Sequence, residues 1–196
     1  MDPRRFGTHA GASGQFAVDK AIEEYHLMYA TRPPGEHHPA ARKQKVNPLY
    51  DVLDAKGAQW EEVFGWERPQ YYGEAETHSF HHSNAFDIVG DEVRGVRERV
   101  GIADLTAFAK FEVTGADAEK LLARVSANKV PGKDGGMRLV HMLTSLGGIE
   151  CEMTITRLGE GRYYLNSAIM GTTHDEDWLN HHIEPGEDVT VANLTD

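Results

Sequence analysis

The chain of 196 residues contains one cysteine, Cys151, so it cannot form an intramolecular disulfide. A protein without disulfides is typical of a reducing compartment. We therefore expect the cytoplasm, or the mitochondrial matrix if the source is eukaryotic. Cys151 falls on the apolar side of a predicted strand, where a thiol is more often a packing residue than a nucleophile.

Long hydrophobic runs are also missing. No stretch of about 18 apolar residues occurs, and the sequence therefore predicts no transmembrane helix. The first residues read MDPRRFGTHAGASG, which is basic but has no apolar segment. We expect neither a secretory signal nor a transit peptide there.

Positive charge is scarce as well. Lysine and arginine total 20 against 31 aspartates and glutamates, and the formal net charge is −11. Nucleic acids and anionic membrane surfaces attract positive patches, so we expect neither of them as a partner. A small-molecule ligand is the better expectation for this composition.

Sequence signatures of covalent and phosphoryl-transfer enzymes do not occur. No serine lies in a glycine elbow, and neither a G-x-G-x-x-G stretch nor a P-loop is present. His78, His81 and His82 form H-x-x-H-H in a polar loop that contains serine and asparagine. A metal site needs three or four convergent ligands, so we expect surface hydrogen bonds there and no metal.

Hydrophobic periodicity predicts the elements of the second half of the chain. Four valines recur at helical spacing over residues 87–100, and a strand is expected over residues 103–113. A short helix follows, then three strands over residues 139–166, a helix over residues 172–183 and a last strand. This order predicts an α+β fold with a mainly antiparallel sheet and packed helices.

The N-terminal part is predicted to be less regular. A helix is expected over residues 15–30, with inward positions that include Tyr25 and Tyr29. The aromatic segment 60–72 is predicted to be a loop whose rings either pack on a core or face a ligand or another domain. A domain boundary is expected between residues 57 and 70.

The central predicted strand carries the chemistry. One of its faces holds Ile149, Cys151, Met153 and Ile155, and the other holds Glu150, Glu152, Thr154 and Thr156. The carboxylates can be solvated, which spacing alone favours, or they can form the floor of a pocket for a basic nitrogen.

Neighbouring strands bring candidate partners to these carboxylates. A tight turn around Glu160 would place Asn166 opposite Thr154, next to Glu152 on the same face. Tyr164 shares that face, and Phe108 is a large aromatic on the polar side of another strand. An aromatic ring, an amide and a carboxylate suit a flat heterocycle rich in nitrogen, and the carboxylate could exchange protons with an amine.

At these same residues the sequence resembles a known family. The resemblance is carried by GIADLTAFAKFEVTGADAEKLLARV, HMLTSLGGIECEMTITRL and RYYLNSA. They resemble the folate-binding aminomethyltransferase of the glycine cleavage system, its T-protein. They resemble still more closely the folate domain of dimethylglycine and sarcosine dehydrogenases. DPRRFG (residues 2–7) and GAQWEEVFGWERPQYYG (residues 57–73) resemble the junction between the flavin-dependent half and the folate half of those dehydrogenases.

The resemblance implies the first part of the aminomethyltransferase folate-binding fold. It implies that tetrahydrofolate accepts a one-carbon unit derived from a methylated amine and becomes 5,10-methylenetetrahydrofolate. Glu152 falls at the catalytic carboxylate, where many relatives have aspartate, and Asn166 and Phe108 fall at folate contacts. Leu139 replaces a pocket tyrosine, and Tyr164 completes the expected folate-binding set.

The resemblance also implies how the chain is organised. Residues 1–57 resemble the C-terminal tail of a flavin-dependent dehydrogenase-like domain, and residues 58–196 resemble the N-terminal portion of the folate domain. FAD would belong to the dehydrogenase half, outside this chain. We expect weak folate binding and either self-association or association with a flavin-containing half. The alternatives are a non-catalytic binding or assembly module, or a stand-alone aminomethyltransferase, which residues 1–73 disfavour.

Overall fold

The chain divides into two compact units, Met1–Ala107 and Phe108–Asp196, of which the computed structural model describes residues 14–195. Residues 2–7, which carry part of the resemblance, lie outside the described residues. The assignment of residues 1–57 and 58–196 to two different domain families concerns ancestry rather than compactness, and it stays a prediction.

The described part of the first unit combines α-helices with a two-stranded antiparallel hairpin. Its elements are α1 (Gln15–Leu27), α2 (Tyr50–Asp54), β1 (Ala58–Val63), β2 (Trp66–Tyr72) and α3 (Ala85–Glu98). Helix α3 confirms the prediction made from the valine spacing. Helix α1 confirms the first predicted helix over most of its length. The inward prediction for Tyr25 and Tyr29 is wrong, because these side chains are 73% and 94% exposed.

The hairpin occupies residues 58–72 and includes the whole of segment 60–72, so the prediction of a loop there is wrong. Phe64 and Gly65 have φ values of 53° and 85°, as the central residues of a tight hairpin turn require. The second strand does not show the usual alternation of apolar and polar residues, because Glu67 is at a buried position. Its carboxylate accepts hydrogen bonds from the Arg42 guanidinium. Burial opposes ionisation of this carboxyl group, but the hydrogen bonds bring the pKa of Glu67 below its ordinary value.

The second unit is a five-stranded antiparallel sheet with two α-helices. Its elements are β3 (Ala109–Thr114), α4 (Ala118–Val125), β4 (Met137–Leu143), β5 (Ile149–Gly159), β6 (Arg162–Ser167), a 3₁₀ turn (Ile169–Gly171), α5 (Thr172–His181) and β7 (Thr190–Asn193). The strand order is β4-β5-β6-β3-β7. The structure thus confirms the predicted element order and the α+β class with a mainly antiparallel sheet.

One face of this sheet forms the core of the second unit. Alternate residues of β3 and β5 point into it, and helix α4 covers it with Leu121 and Leu122, which are fully buried. Burying a leucine side chain stabilises a fold by about 1.5–3 kcal/mol, so this face anchors the sheet. The opposite face is left free to carry Glu150, Glu152 and their neighbours.

The register of the meander follows from its turns. Thr154 pairs with Asn166, as predicted, and His141 pairs with Glu152 across β4 and β5. The turn after Glu160 uses Gly161, with φ 60°, and a Cβ atom there would lie 2.7 Å from the carbonyl oxygen of Gly115. Glycine is therefore required at this turn, which fixes the register that brings the polar residues together.

None of the helices within residues 14–195 combines the length and apolar character needed to cross a bilayer.

Candidate functional site

A cavity of about 540 Å³ lies at one end of the sheet of the second unit. This volume is within the range of small-molecule sites in proteins. Its walls come from the residue before β3, from β4, β5 and β6, and from the start of α5. The lining residues are Phe108, Leu139, Glu150, Cys151, Glu152, Met153, Thr154, Asn166, Ser167, Ala168, Met170, Gly171, His174 and Asp175.

Four of the five predicted site residues meet at this cavity. Phe108, Leu139, Glu152 and Asn166 all line it, whereas Tyr164 is not among the lining residues. Tyr164 shares the face of Asn166 but lies two residues nearer the turn that follows β5. The sheet therefore brings together the aromatic ring, the amide and the carboxylate. Their roles in binding stay predictions.

Glu152 is held by a histidine on the next strand. Its Oε2 atom lies 2.6 Å from Nε2 of His141, and the two residues are direct cross-strand partners. The Glu152 side chain is 54% exposed, so its carboxylate is neither buried nor free. Cross-strand partners lie close enough for such bonds, and a correct register of β4 against β5 would have predicted the pair.

The apolar part of the lining is open to a ligand. Phe108, Leu139 and Met170 are exposed large hydrophobic residues that border the cavity. Covering such surface with a flat ring is favourable, at about 25 cal/mol per Å² of apolar area buried. The site thus offers an apolar side and a polar side to the same ligand.

A second cluster of ionisable groups lies at the same cavity. Nε2 of His174 is 2.8 Å from Oε1 of Glu150, and Nδ1 is 2.9 Å from Oδ1 of Asp175. The hydrogen bond with Asp175 raises the pKa of His174, burial opposes this rise, and the bond with Glu150 adds to it. The sequence prediction missed this cluster because it depends on a contact between the start of α5 and the start of β5, which lie 24 residues apart in the sequence.

Two small polar side chains complete the lining. Cys151 is a buried free thiol, and burial, together with the charges of Asp175 and Glu150, raises its pKa to about 12. It therefore stays protonated at neutral pH and unreactive, which agrees with a packing role. The Ser167 hydroxyl is buried without a hydrogen-bond partner on the side of β6 that Tyr163 and Leu165 share.

Within residues 14–195, no group of three or more His, Cys, Asp or Glu side chains is arranged to hold a metal ion.

Comparisons with known proteins identify the family and agree with the fold. The family model described as "GCVT N-terminal domain" matches residues 49–196. The mitochondrial dimethylglycine dehydrogenase of Rattus norvegicus is 33% identical over 203 residues, which cover 100% of this chain and 23% of that protein. The mitochondrial pyruvate dehydrogenase phosphatase regulatory subunit of Mus musculus is 30% identical over 205 residues, with the same two coverages.

A solved structure shares the fold. The glycine cleavage system aminomethyltransferase T from Bartonella henselae matches with a TM-score of 0.60 at 21% identity, covering 77% of this chain and 38% of that one. This confirms the predicted fold. The chain spans about a quarter of the length of the curated dehydrogenases it matches, 23% in each case.

Proposed function

Since the chain belongs to the GCVT N-terminal domain family, we propose that its cavity binds tetrahydrofolate. We further propose that it is the one-carbon acceptor module of an N-methylglycine dehydrogenase-like enzyme, acting with dimethylglycine or sarcosine. Similarity over the whole of this chain to a stretch that makes up 23% of the dimethylglycine dehydrogenases supports this choice. Those relatives are named as mitochondrial, which supports the matrix as the compartment if the source is eukaryotic.

One observation carries the proposal. Phe108, Glu152 and Asn166 come from three different strands or strand ends, and they line a single cavity. A surface of solvated carboxylates would not need an aromatic ring, an exposed apolar side chain and an amide around the same space. Such convergent polar groups on an apolar wall are typical of ligand sites.

The lining fits a reduced pterin. Glu152 accepts hydrogen bonds from ring N–H groups, and Asn166 both donates and accepts them. Phe108 and Leu139 offer apolar surface to the flat ring.

Tetrahydrofolate, when bound, supplies the amine nitrogens that take up the one-carbon unit as 5,10-methylenetetrahydrofolate. Glu152 accepts the proton that the attacking nitrogen gives up. His141 holds Oε2 of that carboxylate at 2.6 Å, which leaves Oε1 to face the ligand. Asn166 orients the ring, and Phe108 keeps water from one of its faces. We assign the oxidation of the methylated amine to a separate flavin-containing unit.

A thermal-shift experiment tests the proposal. A ligand that binds only the folded chain stabilises it by RT ln(1 + [L]/Kd), about 2.7 kcal/mol at 100 times Kd. We expect tetrahydrofolate to raise the melting temperature of the chain. The Glu152→Ala variant should lose most of this shift, and the Glu160→Gln variant, changed in the turn beside β5, should keep it. A wild-type chain without any shift would refute folate binding.

A second candidate function rests on a different relative. The pyruvate dehydrogenase phosphatase regulatory subunit is 30% identical over the whole chain, so a related domain occurs in a protein named as regulatory. Under this alternative the domain is a non-catalytic binding or assembly module. A stably folded chain whose melting temperature does not change when tetrahydrofolate is added would favour this alternative.

A further inference from the structure

His174 lies between two carboxylates at the edge of the cavity. Asp175 faces its Nδ1 atom at 2.9 Å and Glu150 faces its Nε2 atom at 2.8 Å. When both carboxylates are ionised they can only accept hydrogen bonds, and each ring nitrogen then carries a hydrogen. The geometry therefore describes an imidazolium, a proton-loaded side chain that lines the cavity itself.

Asp175 is the buried member of this cluster. Asp175 is 3% exposed and sits in the first turn of α5, where the preceding glycine makes room for it. A Cβ atom on Gly171 would come within 2.5 Å of Oδ2 of Asp175. The positive end of the helix disfavours a cation at His174, so the two carboxylates are needed to hold its charge.

The ionisable groups that line the cavity with His174 are Asp175 on the same helix and Glu150, Cys151 and Glu152 on β5. The thiol of Cys151 stays neutral, since its pKa is raised to about 12. The pKa of His174 is raised by Asp175 first and, after the opposing effect of burial, by Glu150. The imidazolium thus persists at a higher pH than an ordinary histidine.

We propose that His174 is the general acid of this site, giving its Nε2 proton to the amine that departs when the one-carbon unit moves to the acceptor. This inference rests on the proposed function. In the transfer, one folate nitrogen adds to the iminium carbon of the methylated amine, the C=N π electrons return to the donor nitrogen, and the proton of the folate nitrogen passes to Glu152. The remaining C–N bond to the donor amine breaks, and the amine leaves with the electron pair and takes the proton of His174. The second folate nitrogen then bonds to the carbon and releases its proton to solvent, which completes 5,10-methylenetetrahydrofolate.

The exposure of each group fits this division of work. The side chain of His174 is 44% exposed and that of Asp175 is 4% exposed. A ligand amine can therefore reach Nε2 and replace Oε1 of Glu150 as its acceptor, while Asp175 keeps the ring in place from the buried side. Glu152 and Glu150 are two residues apart on one face, about 7 Å, so base and acid border the same ligand.

The first test does not depend on activity. The histidine rings of the whole 196-residue chain are labelled with ¹⁵N, and the titration of His174 is followed by NMR. We expect Asp175→Asn and Glu150→Gln to move this titration to lower pH. Glu152→Gln, which removes a carboxylate from the same strand but not from His174, should move it much less. An unchanged titration in Asp175→Asn would overturn the inference.

The second test measures transfer. Tetrahydrofolate is mixed with the adduct of formaldehyde and sarcosine, and the rate above the protein-free rate is recorded against pH. General acid catalysis contributes about 10²-fold or more, so the rate of His174→Asn should be lower by about that factor. The wild-type rate should fall at alkaline pH, and the rate of His174→Asn should not show this fall. Asp175→Asn should shift that fall to lower pH, and it serves as the second variant if His174→Asn does not fold.

The outcomes separate the two proposals. A wild-type rate that His174→Asn leaves unchanged would overturn the acid role and leave the folate proposal standing. A wild-type chain that neither binds tetrahydrofolate nor speeds the transfer would overturn both.

Discussion

Two glutamates of one strand, Glu150 and Glu152, face the same cavity and differ in what holds them. Glu152 bonds to His141 on the neighbouring strand, and this pair is about half exposed. Glu150 bonds to His174, whose other nitrogen bonds to the buried Asp175. The alternation of a strand therefore fixes the face on which a carboxylate lies. The histidine bonded to that carboxylate, and the other groups bonded to that histidine, then decide whether the pair acts as a base or as an acid.

The largest effect is expected from removing Glu152 in a full-length homologous dehydrogenase. Loss of the base at the acceptor nitrogen should lower folate-coupled turnover by about 10²-fold or more. Reduction of the flavin by the methylated amine should continue, because it takes place elsewhere. Rapid-mixing measurement of both steps distinguishes them, and unchanged folate-coupled turnover in Glu152→Ala would show that the role assigned to Glu152 is wrong.

A methyl group added at Gly171 acts on the other member of the comparison. Gly171→Ala should push Asp175 away from His174 and lower the free energy of unfolding by about 1–3 kcal/mol, the usual cost of overpacking. Gly132→Ala is the control, because a Cβ atom there meets nothing within 4 Å. Urea denaturation measures both, and equal stability of the two variants would mean that Asp175 is not confined as described.

The features of the site that depend on residues close together in the sequence were predicted correctly. The alternation along β5 separated Cys151 and Met153 from the glutamates, and the tight turn expected around Glu160 led to the pairing of Thr154 with Asn166. Those features depend on a period of two and a short turn. They therefore required no knowledge of distant contacts.

Features that depend on distant contacts escaped prediction. His174 reaches Glu150 only because helix α5 packs at the end of the sheet, and no spacing in the sequence encodes that approach. The hairpin of residues 58–72 escaped because a glutamate on its inner side, Glu67, is paired with Arg42 from a distant segment. Tyr25 and Tyr29 were predicted to face inward from the apolar pattern of their helix, but they are exposed. The pattern shows which face of a helix is apolar and does not show whether another element covers that face.

The pH dependence of stability separates the two pairs further. Because the folded-state pKa of His174 is raised above 6.5, its stabilising contribution is complete below that value and is lost as pH rises through the folded pKa. We expect the wild-type chain to lose more stability over this window than Asp175→Asn does. Urea midpoints measured across the window check the sign, and an identical loss in both proteins would contradict it.

The smallest effect on stability is expected at His141. An exposed pair such as His141–Glu152 contributes about 0–1 kcal/mol, so His141→Gln should unfold at nearly the same urea concentration as wild type. Tetrahydrofolate binding should nevertheless weaken several-fold, because Oε2 of Glu152 loses the group that orients it. Calorimetric titration measures the affinity, and an unchanged Kd would remove His141 from the account.

The most direct measurement is a map of backbone amide shifts of the ¹⁵N-labelled chain during titration with tetrahydrofolate. The account predicts that residues around the cavity shift together and saturably, above all Phe108, Glu152 and Asn166, while the hairpin of residues 58–72 does not respond. Shifts confined to other parts of the chain, or no saturable shift up to the solubility limit of tetrahydrofolate, would contradict the claim that this cavity is a folate site.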